Sequence, residues 1–301
     1  MTLTRRQLLF ASGAALLGPD VLGQALAADE KGPTKKVLFF TKSSGFQHSV
    51  ITRKNNQPSL AERLLTDLGK EHGFEVVCSK DGRLFDPDQI GQWDAFVFET
   101  TGDLTTQGGQ KEGEGAYPMS KEGKQAFLDA IRGGKGFVGI HCATDTFHSR
   151  GTAIDPYIEM IGAEFIVHGA QQKARIDIVD PNFPGVRPFG TDSFEILDEW
   201  YALKNFQDDL HVILVQNTEN MDKKGNNKCY DRPNFPETWA RMHGKGRVFY
   251  TSMGHREDVW ENPKFQGLLV GALTWATGRA EADITPNVSK VTPGYKQVAQ
   301  R

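Results

Sequence analysis

The segment GFVGIHCATDTFHSR, residues 136–150, decides how the rest of the chain is read. Its first five residues form an unbroken apolar run of strand length, with Gly133 and Gly134 just upstream. Runs of this kind belong to strands covered on both faces, as in parallel sheets flanked by helices. His141, Cys142, Asp145 and His148 follow at once, so titratable side chains gather where a central strand runs out.

The neighbouring segments fit the same architecture. KKVLFFTKS (35–43), FEVVCSKD (74–81) and WDAFVFETTGD (93–103) read as further buried strands. PSLAERLLTDLGKEHG (58–73), KEGKQAFLDAIRGG (121–134) and NPKFQGLLVGALTWATG (262–278) carry apolar residues at helical spacing. Pro58 near one helix start and Gly73 at its end are in the places helix termini favour. Strands alternating with helices predict a flavodoxin-like α/β fold, a parallel sheet with helices on both faces and right-handed crossovers. The second half reads as a partly antiparallel extension. KARIDIVDPNFPG (173–185) and HVILVQNT (211–218) look like strands with little helix between them, and ETWARMHGKGRVFYTSMGH (237–255) like a hairpin turning at Gly244–Gly246. DSFEILDEWYAL (192–203) suits either a short helix or a strand and turn.

Composition narrows the function classes. The chain has 301 residues, a net charge of −3 and no basic block, which argues against nucleic acid as a partner. Cys78, Cys142 and Cys229 are an odd number with no Cys-x-x-Cys pair, so neither a disulfide framework nor a finger-type zinc site is indicated. At the N-terminus, TRRQLLFASGAALLG places Arg5 and Arg6 before a short apolar run, and Ala25–Ala27 offers small residues for cleavage. Residues 1–27 therefore read as a twin-arginine-type signal peptide, with a leucine where a phenylalanine is usual. The mature protein is expected in the periplasm or secreted, with no membrane association once the signal is removed. One domain is expected over residues 35–278, followed by a surface tail at 279–301.

In parallel α/β sheets ligands collect beyond the carboxyl ends of the strands. Four polar clusters lie at such ends: His48, Glu99 with Asp103, the opening segment, and His255. If a helix begins after Cys142, His141, Asp145 and His148 are spaced to share one face. That face suits a divalent metal, sugar hydroxyls, or an acid and a base on either side of a substrate. His168, after an apolar run, suits either a ligand or an edge histidine. His255 and Glu257 form a His-x-Glu pair like that of class I glutamine amidotransferases, but the elbow where their cysteine is expected holds His141, with Cys142 one residue beyond. A cysteine displaced by one residue points elsewhere, which favours Cys142 as a small buried residue.

Taken together, SSGFQHSVI (43–51), FVFETTGDL (96–104), GFVGIHCATDTFH (136–148), DEWYAL (198–203) and PETWARMHGKGRVFYTSMGH (236–255) resemble the trehalose-utilisation (ThuA-like) family of the class I glutamine amidotransferase-like superfamily. The resemblance spans residues 35–278 and implies an amidotransferase-type fold without the glutaminase cysteine. It also implies a role in sugar utilisation, often beside periplasmic sugar oxidoreductases that make 3-keto-glycosides, so the expected partner is a small saccharide or glycoside. A ketone at C3 acidifies the hydrogen at C2, and its loss lets the C1 substituent leave. The chemistry needs a base, a stabiliser for the enediolate oxygen and an acid for the departing oxygen. The residues expected to supply it are His48, His141, Asp145 and His255. Glu99, His148, Glu199, Tyr201 and Trp239 are expected to contact the sugar, with Trp200 a further aromatic candidate. A divalent metal on His141, Asp145 and His148 is the cofactor the spacing allows. The rival readings are a hydrolase or amidase using Cys142 with His255, and a non-catalytic carbohydrate-binding protein.

Overall fold

The computed structural model describes residues 34–107 and 117–299. The leader expected at residues 1–27 lies outside them. The first strands are β1 (Lys35–Phe40), β2 (Phe74–Ser79), β3 (Ala95–Phe98) and β4 (Gly136–Ile140). They are followed by β5 (Glu164–His168), β6 (Gln172–Ile178), β7 (Ser193–Asp198), β8 (Tyr201–Lys204), β9 (His211–Asn217), β10 (Phe235–His243) and β11 (Gly246–Thr251). The helices are α1 (Leu60–His72), α2 (Lys121–Arg132), α3 (Pro156–Ile161), α4 (Glu257–Trp260), α5 (Pro263–Ala276) and α6 (Val288–Val291).

A nine-stranded sheet runs in the order β2-β1-β3-β4-β11-β10-β9-β6-β7. The first five of these are parallel, and from β11 to β7 every pairing is antiparallel. Strand period fixes which residues face which layer. On β1, Val37 and Phe39 join one core with α1 and α5, while Leu38 and Phe40 join the other with α2 and α3. β3 and β4 divide in the same way, which is why they read as continuous apolar runs. The order in which strands are added reverses between β1 and β3, the kind of switch point where ligands bind in open α/β sheets.

The helix ends agree with the sequence. Ser59 and Glu62 form a reciprocal capping box on α1, and Gly73 closes it with φ of +77°. Two readings change. No helix starts after Cys142: a 3-10 turn spans His141–Asp145 and the chain is extended again at Thr146. Thr146 Oγ1 donates to the Thr100 carbonyl at 2.7 Å, and Gly102 bridges Thr146 in parallel, so strand-like contacts capture the segment before a helix can propagate. Residues 192–203 resolve into β7 and β8, broken at Glu199 and Trp200, and β8 pairs with β5 in a separate two-stranded sheet. The segment from 279 onward is also more than a surface tail. Val288 and Tyr295 are buried, and Asn287 accepts from the Val212 N–H at 2.7 Å and donates to the Val212 carbonyl at 3.1 Å.

Helix α5 contains a test of this packing. A Cβ on Gly271 would lie 2.1 Å from the Pro184 carbonyl oxygen, whereas one on Gly267 meets nothing within 4 Å. Gly271→Ala is expected to destabilise by about 1–3 kcal/mol through overpacking against backbone. Gly267→Ala, in the same helix, is expected to be neutral or to stabilise by up to about 1 kcal/mol. Urea midpoints of the two variants check the contrast.

Candidate functional site

The centre of the site is the residue that ends β4. His141 has φ of +43°, a left-handed conformation that costs a non-glycine residue about 1–3 kcal/mol. Two bonds to the adjoining parallel strand hold it there. Its Nδ1 donates to the Ser252 carbonyl at 2.8 Å, and its own carbonyl accepts from the Tyr250 hydroxyl at 2.7 Å. The kink lifts the imidazole above the carboxyl edge of the sheet, much as an elbow presents a nucleophile.

Three other side chains meet it there. His255, just past β11, places Nδ1 3.3 Å from His141 Nε2 and 3.1 Å from Glu199 Oε2. Glu199, in the break between β7 and β8, has the same oxygen 3.5 Å from His141 Nε2. His48, in the loop after β1, sets its ring edge-on to both other imidazoles, with centroids 4.9 and 5.0 Å away. One ligand atom from each of the four lies within 4.8 Å of the others, and imidazole and carboxylate are donors that divalent first-row metals accept. Thus the carboxyl ends of β1, β4 and β11 and one antiparallel break converge on a single point.

The outer groups are buried carboxylates and one more histidine. Asp198 accepts from the Gly254 N–H and from the Glu199 N–H, at 2.8 and 2.9 Å, so it fixes His255's loop and Glu199 together. Glu237 accepts from the N–H groups of Ser252 and Met253, both at 3.0 Å, and from Ser252 Oγ at 2.9 Å. His168 Nδ1 lies 3.2 Å from Glu199 Oε1 and 2.9 Å from the Gly169 carbonyl, which makes it a donor shared between them.

Electrostatics follows from this packing. Burial pushes the His48 imidazole down to about 2, with the charges of His141 and His255 acting in the same direction. Burial also pushes Glu199 up, but its contacts with the His141 and His255 imidazoles outweigh it and hold the carboxyl well below its usual range. For His255, burial lowers the pKa and the bond to Glu199 raises it, with a net rise. Burial raises the carboxyl groups of Asp198 and Glu237.

Of the residues expected from the sequence, the structure brings His48, His141, His255 and Glu199 together. Tyr201 joins them as a wall, its ring 4.3 Å from the His141 ring. Asp145 and His148 do not share a face with His141, because the helix that would have aligned them does not form. His148 instead pairs with Asp145 at 2.6 Å and with Glu164 at 3.2 Å. The grouping that could hold a metal ion is therefore drawn from His48, His141, His255 and Glu199 rather than His141, Asp145 and His148. Glu99 is fully buried beneath the edge, neither of its oxygens has a partner among the described residues, and burial raises its carboxyl well above the usual range. Trp239 packs in the core, donating to the Ile161 carbonyl and lying 4.4 Å from Tyr250, and Trp200 donates to the Gln172 carbonyl. Both indoles are fully buried, so neither offers a face to a ligand in solution. Cys142 is 0% exposed and burial raises its thiol well above the ordinary value, which removes it as a nucleophile. Phe46 is the aromatic that the sequence reading passed over: it is 69% exposed and its ring stands 5.1 Å from His48. A hollow of about 700 Å³ lined by Val167, Ala202, Lys204, Cys229 and Arg232 lies away from these groups and contains none of them.

Comparison with known proteins agrees with this fold. The family description for trehalose utilisation (ThuA) matches residues 36–276. A ThuA-like protein from Bacteroides uniformis superposes with a TM-score of 0.58 at 17% identity, over 86% of this chain and 98% of that one. One from Parabacteroides merdae gives 0.59 at 17% identity, over 89% and 97%. Cytoplasmic protein STM3548 from Salmonella typhimurium gives 0.51 at 13% identity, over 80% and 98%. No curated protein sequence matches significantly.

Two outcomes are expected. In the folded protein an alkylating reagent labels Cys142 only after denaturation, whereas the half-buried Cys78 and Cys229 react earlier; peptide mapping reads the order. The bond to Asp145 raises His148's pKa, with burial opposing it and Glu164 adding to the rise. A raised pKa means stabilisation that is complete below the unfolded value and is lost as pH climbs through the folded one. The stability gap between wild type and His148→Gln should therefore be widest at about pH 6, just below the unfolded value, and should narrow as pH rises above it, measured by urea unfolding.

Proposed function

Because the chain belongs to the trehalose-utilisation (ThuA) family, we propose that it is a carbohydrate-processing enzyme whose working groups are His48, His141, His255 and Glu199. The observation that carries the reading is their convergence: three imidazoles and a carboxylate from four distant segments meet at one strand edge. Groups placed at such cost are seldom structural, and imidazole is the side chain best suited to moving protons near neutral pH.

The reaction is cleavage or rearrangement of a glycoside oxidised at C3. His48, whose buried Nδ1 has no partner among the described residues, is kept neutral by burial, and with the Glu199 carboxylate favouring its protonated form it takes the C2 proton. The electron pair of that bond forms a C1–C2 double bond, and the C1–O bond breaks with its pair on the leaving oxygen. A proton for that oxygen comes from the phenol of Tyr201. His255, whose protonated form Glu199 favours, donates to the keto oxygen as it gains enediolate character. Phe46 offers its exposed face to the apolar side of the sugar ring. On the reading of residues 1–27 as a twin-arginine-type leader, this chemistry runs outside the cytoplasm, downstream of an oxidoreductase that installs the ketone.

The test is turnover of matched substrates, a disaccharide and its 3-keto form, followed by release of the C1 substituent. The 3-keto form should react and the parent should not. His48→Ala and His255→Ala should each lower kcat by about 10²–10⁴-fold. Saturable binding of the 3-keto sugar without release of a product would make the protein a carbohydrate-binding one and end the enzymatic reading.

A further inference from the structure

We propose that His141 Nε2, His255 Nδ1 and Glu199 Oε2 are three ligands of one divalent transition-metal ion of the zinc class, with His48 facing its open side. The argument begins with a proton count. The Ser252 carbonyl can only accept, so the bond at 2.8 Å puts the hydrogen of neutral His141 on Nδ1 and leaves a lone pair on Nε2. That lone pair lies 3.5 Å from a Glu199 oxygen, another acceptor, and 3.3 Å from His255 Nδ1. One proton on His255 would have to serve both acceptors. A cation among the three satisfies all of them at once.

The spacings agree with this. Metal–nitrogen and metal–oxygen bonds of about 2.0–2.1 Å at tetrahedral angles place ligand atoms about 3.3–3.4 Å apart. The three separations here are 3.1, 3.3 and 3.5 Å. Two imidazoles and one carboxylate leave a fourth position free, the pattern of catalytic rather than structural zinc.

The supporting groups also match. A metal-bound histidine normally donates its other nitrogen to a carbonyl or carboxylate, and His141 does so to Ser252. The Ser252 N–H and hydroxyl are in turn held by Glu237. The second oxygen of Glu199 faces His168, and its backbone N–H is held by Asp198. Each proposed ligand except His255 thus has its orientation set by a bond of its own, and the loop carrying His255 is tied to Asp198 through Gly254. At the open position the ion would polarise a bound oxygen, so the inference deepens the catalytic reading above without needing its substrate.

Metal binding to the purified full chain tests it with no sugar present. After chelator stripping and dialysis against zinc, elemental analysis should give about one ion per chain, and melting temperature should rise on zinc addition. Cobalt(II) should give the visible absorption of a four-coordinate site. His141→Ala, His255→Ala and Glu199→Gln should each weaken binding by more than about 100-fold, since outer-group changes alone cost 10–100-fold. His211→Gln, which removes an ion pair with Asp180 elsewhere, should bind as wild type does. Circular dichroism confirms that each variant is folded, and Glu199→Gln keeps the shape of its side chain if the histidine variants are not. Folded wild type that takes up no ion, or variants that keep it, overturn the inference. A protein that binds zinc but leaves 3-keto-glycosides intact overturns the substrate reading alone. Undiminished turnover by metal-free protein overturns the metal alone.

Discussion

The bond from His141 to the Ser252 carbonyl joins the ends of two neighbouring parallel strands, β4 and β11. It compensates a backbone angle that histidine rarely adopts, selects the ring's tautomer, and ties the imidazole to the strand that delivers His255. Glu237 stiffens the other side of the joint by holding Ser252 and Met253, and Asp198 links the same loop to Glu199. Burying a carboxyl group costs least when its oxygens are satisfied. Asp198 and Glu237 meet that condition by fixing the backbone under the cluster, so part of the site's rigidity is built into the core.

The position of His141 also explains how an amidotransferase-like framework can lose thiol chemistry and keep a working edge. An elbow at the end of β4 turns one side chain toward the histidine cluster and the next into the core. Here the first is the imidazole of His141 and the second is Cys142, packed among apolar residues with Phe147 and Tyr157. A one-residue change of register at a kinked strand end therefore decides whether sulfur or nitrogen joins the cluster. Fold and chemistry are separable at this point.

Much of the parallel half was legible in the sequence, because strands covered on both faces declare themselves as apolar runs and helix ends carry caps. His48, His141 and His255 stood out as candidates for the same reason, since each follows such a run. The alignment of Asp145 and His148 was misread, because helical spacing is a local rule and Thr146 is claimed by Thr100 and Gly102 from another strand. Glu199 could be named but not placed, as its position depends on β7 and β8 separating into different sheets. Glu237 gave no signal at all: a single carboxylate inside PETWARMH shows its role only when the partner strand is seen beside it.

The stretch beyond α5 has a bearing on how the protein behaves at its C-terminus. The β6 pairing with β9 ends at Leu214, and two residues earlier Asn287 offers Val212 an amide in place of the missing strand. The side chain acts as a false neighbour, closing a short open edge with one residue's worth of peptide chemistry. A chain clipped before this asparagine would present bare main-chain groups where none are now exposed, an invitation to strand-to-strand association between molecules.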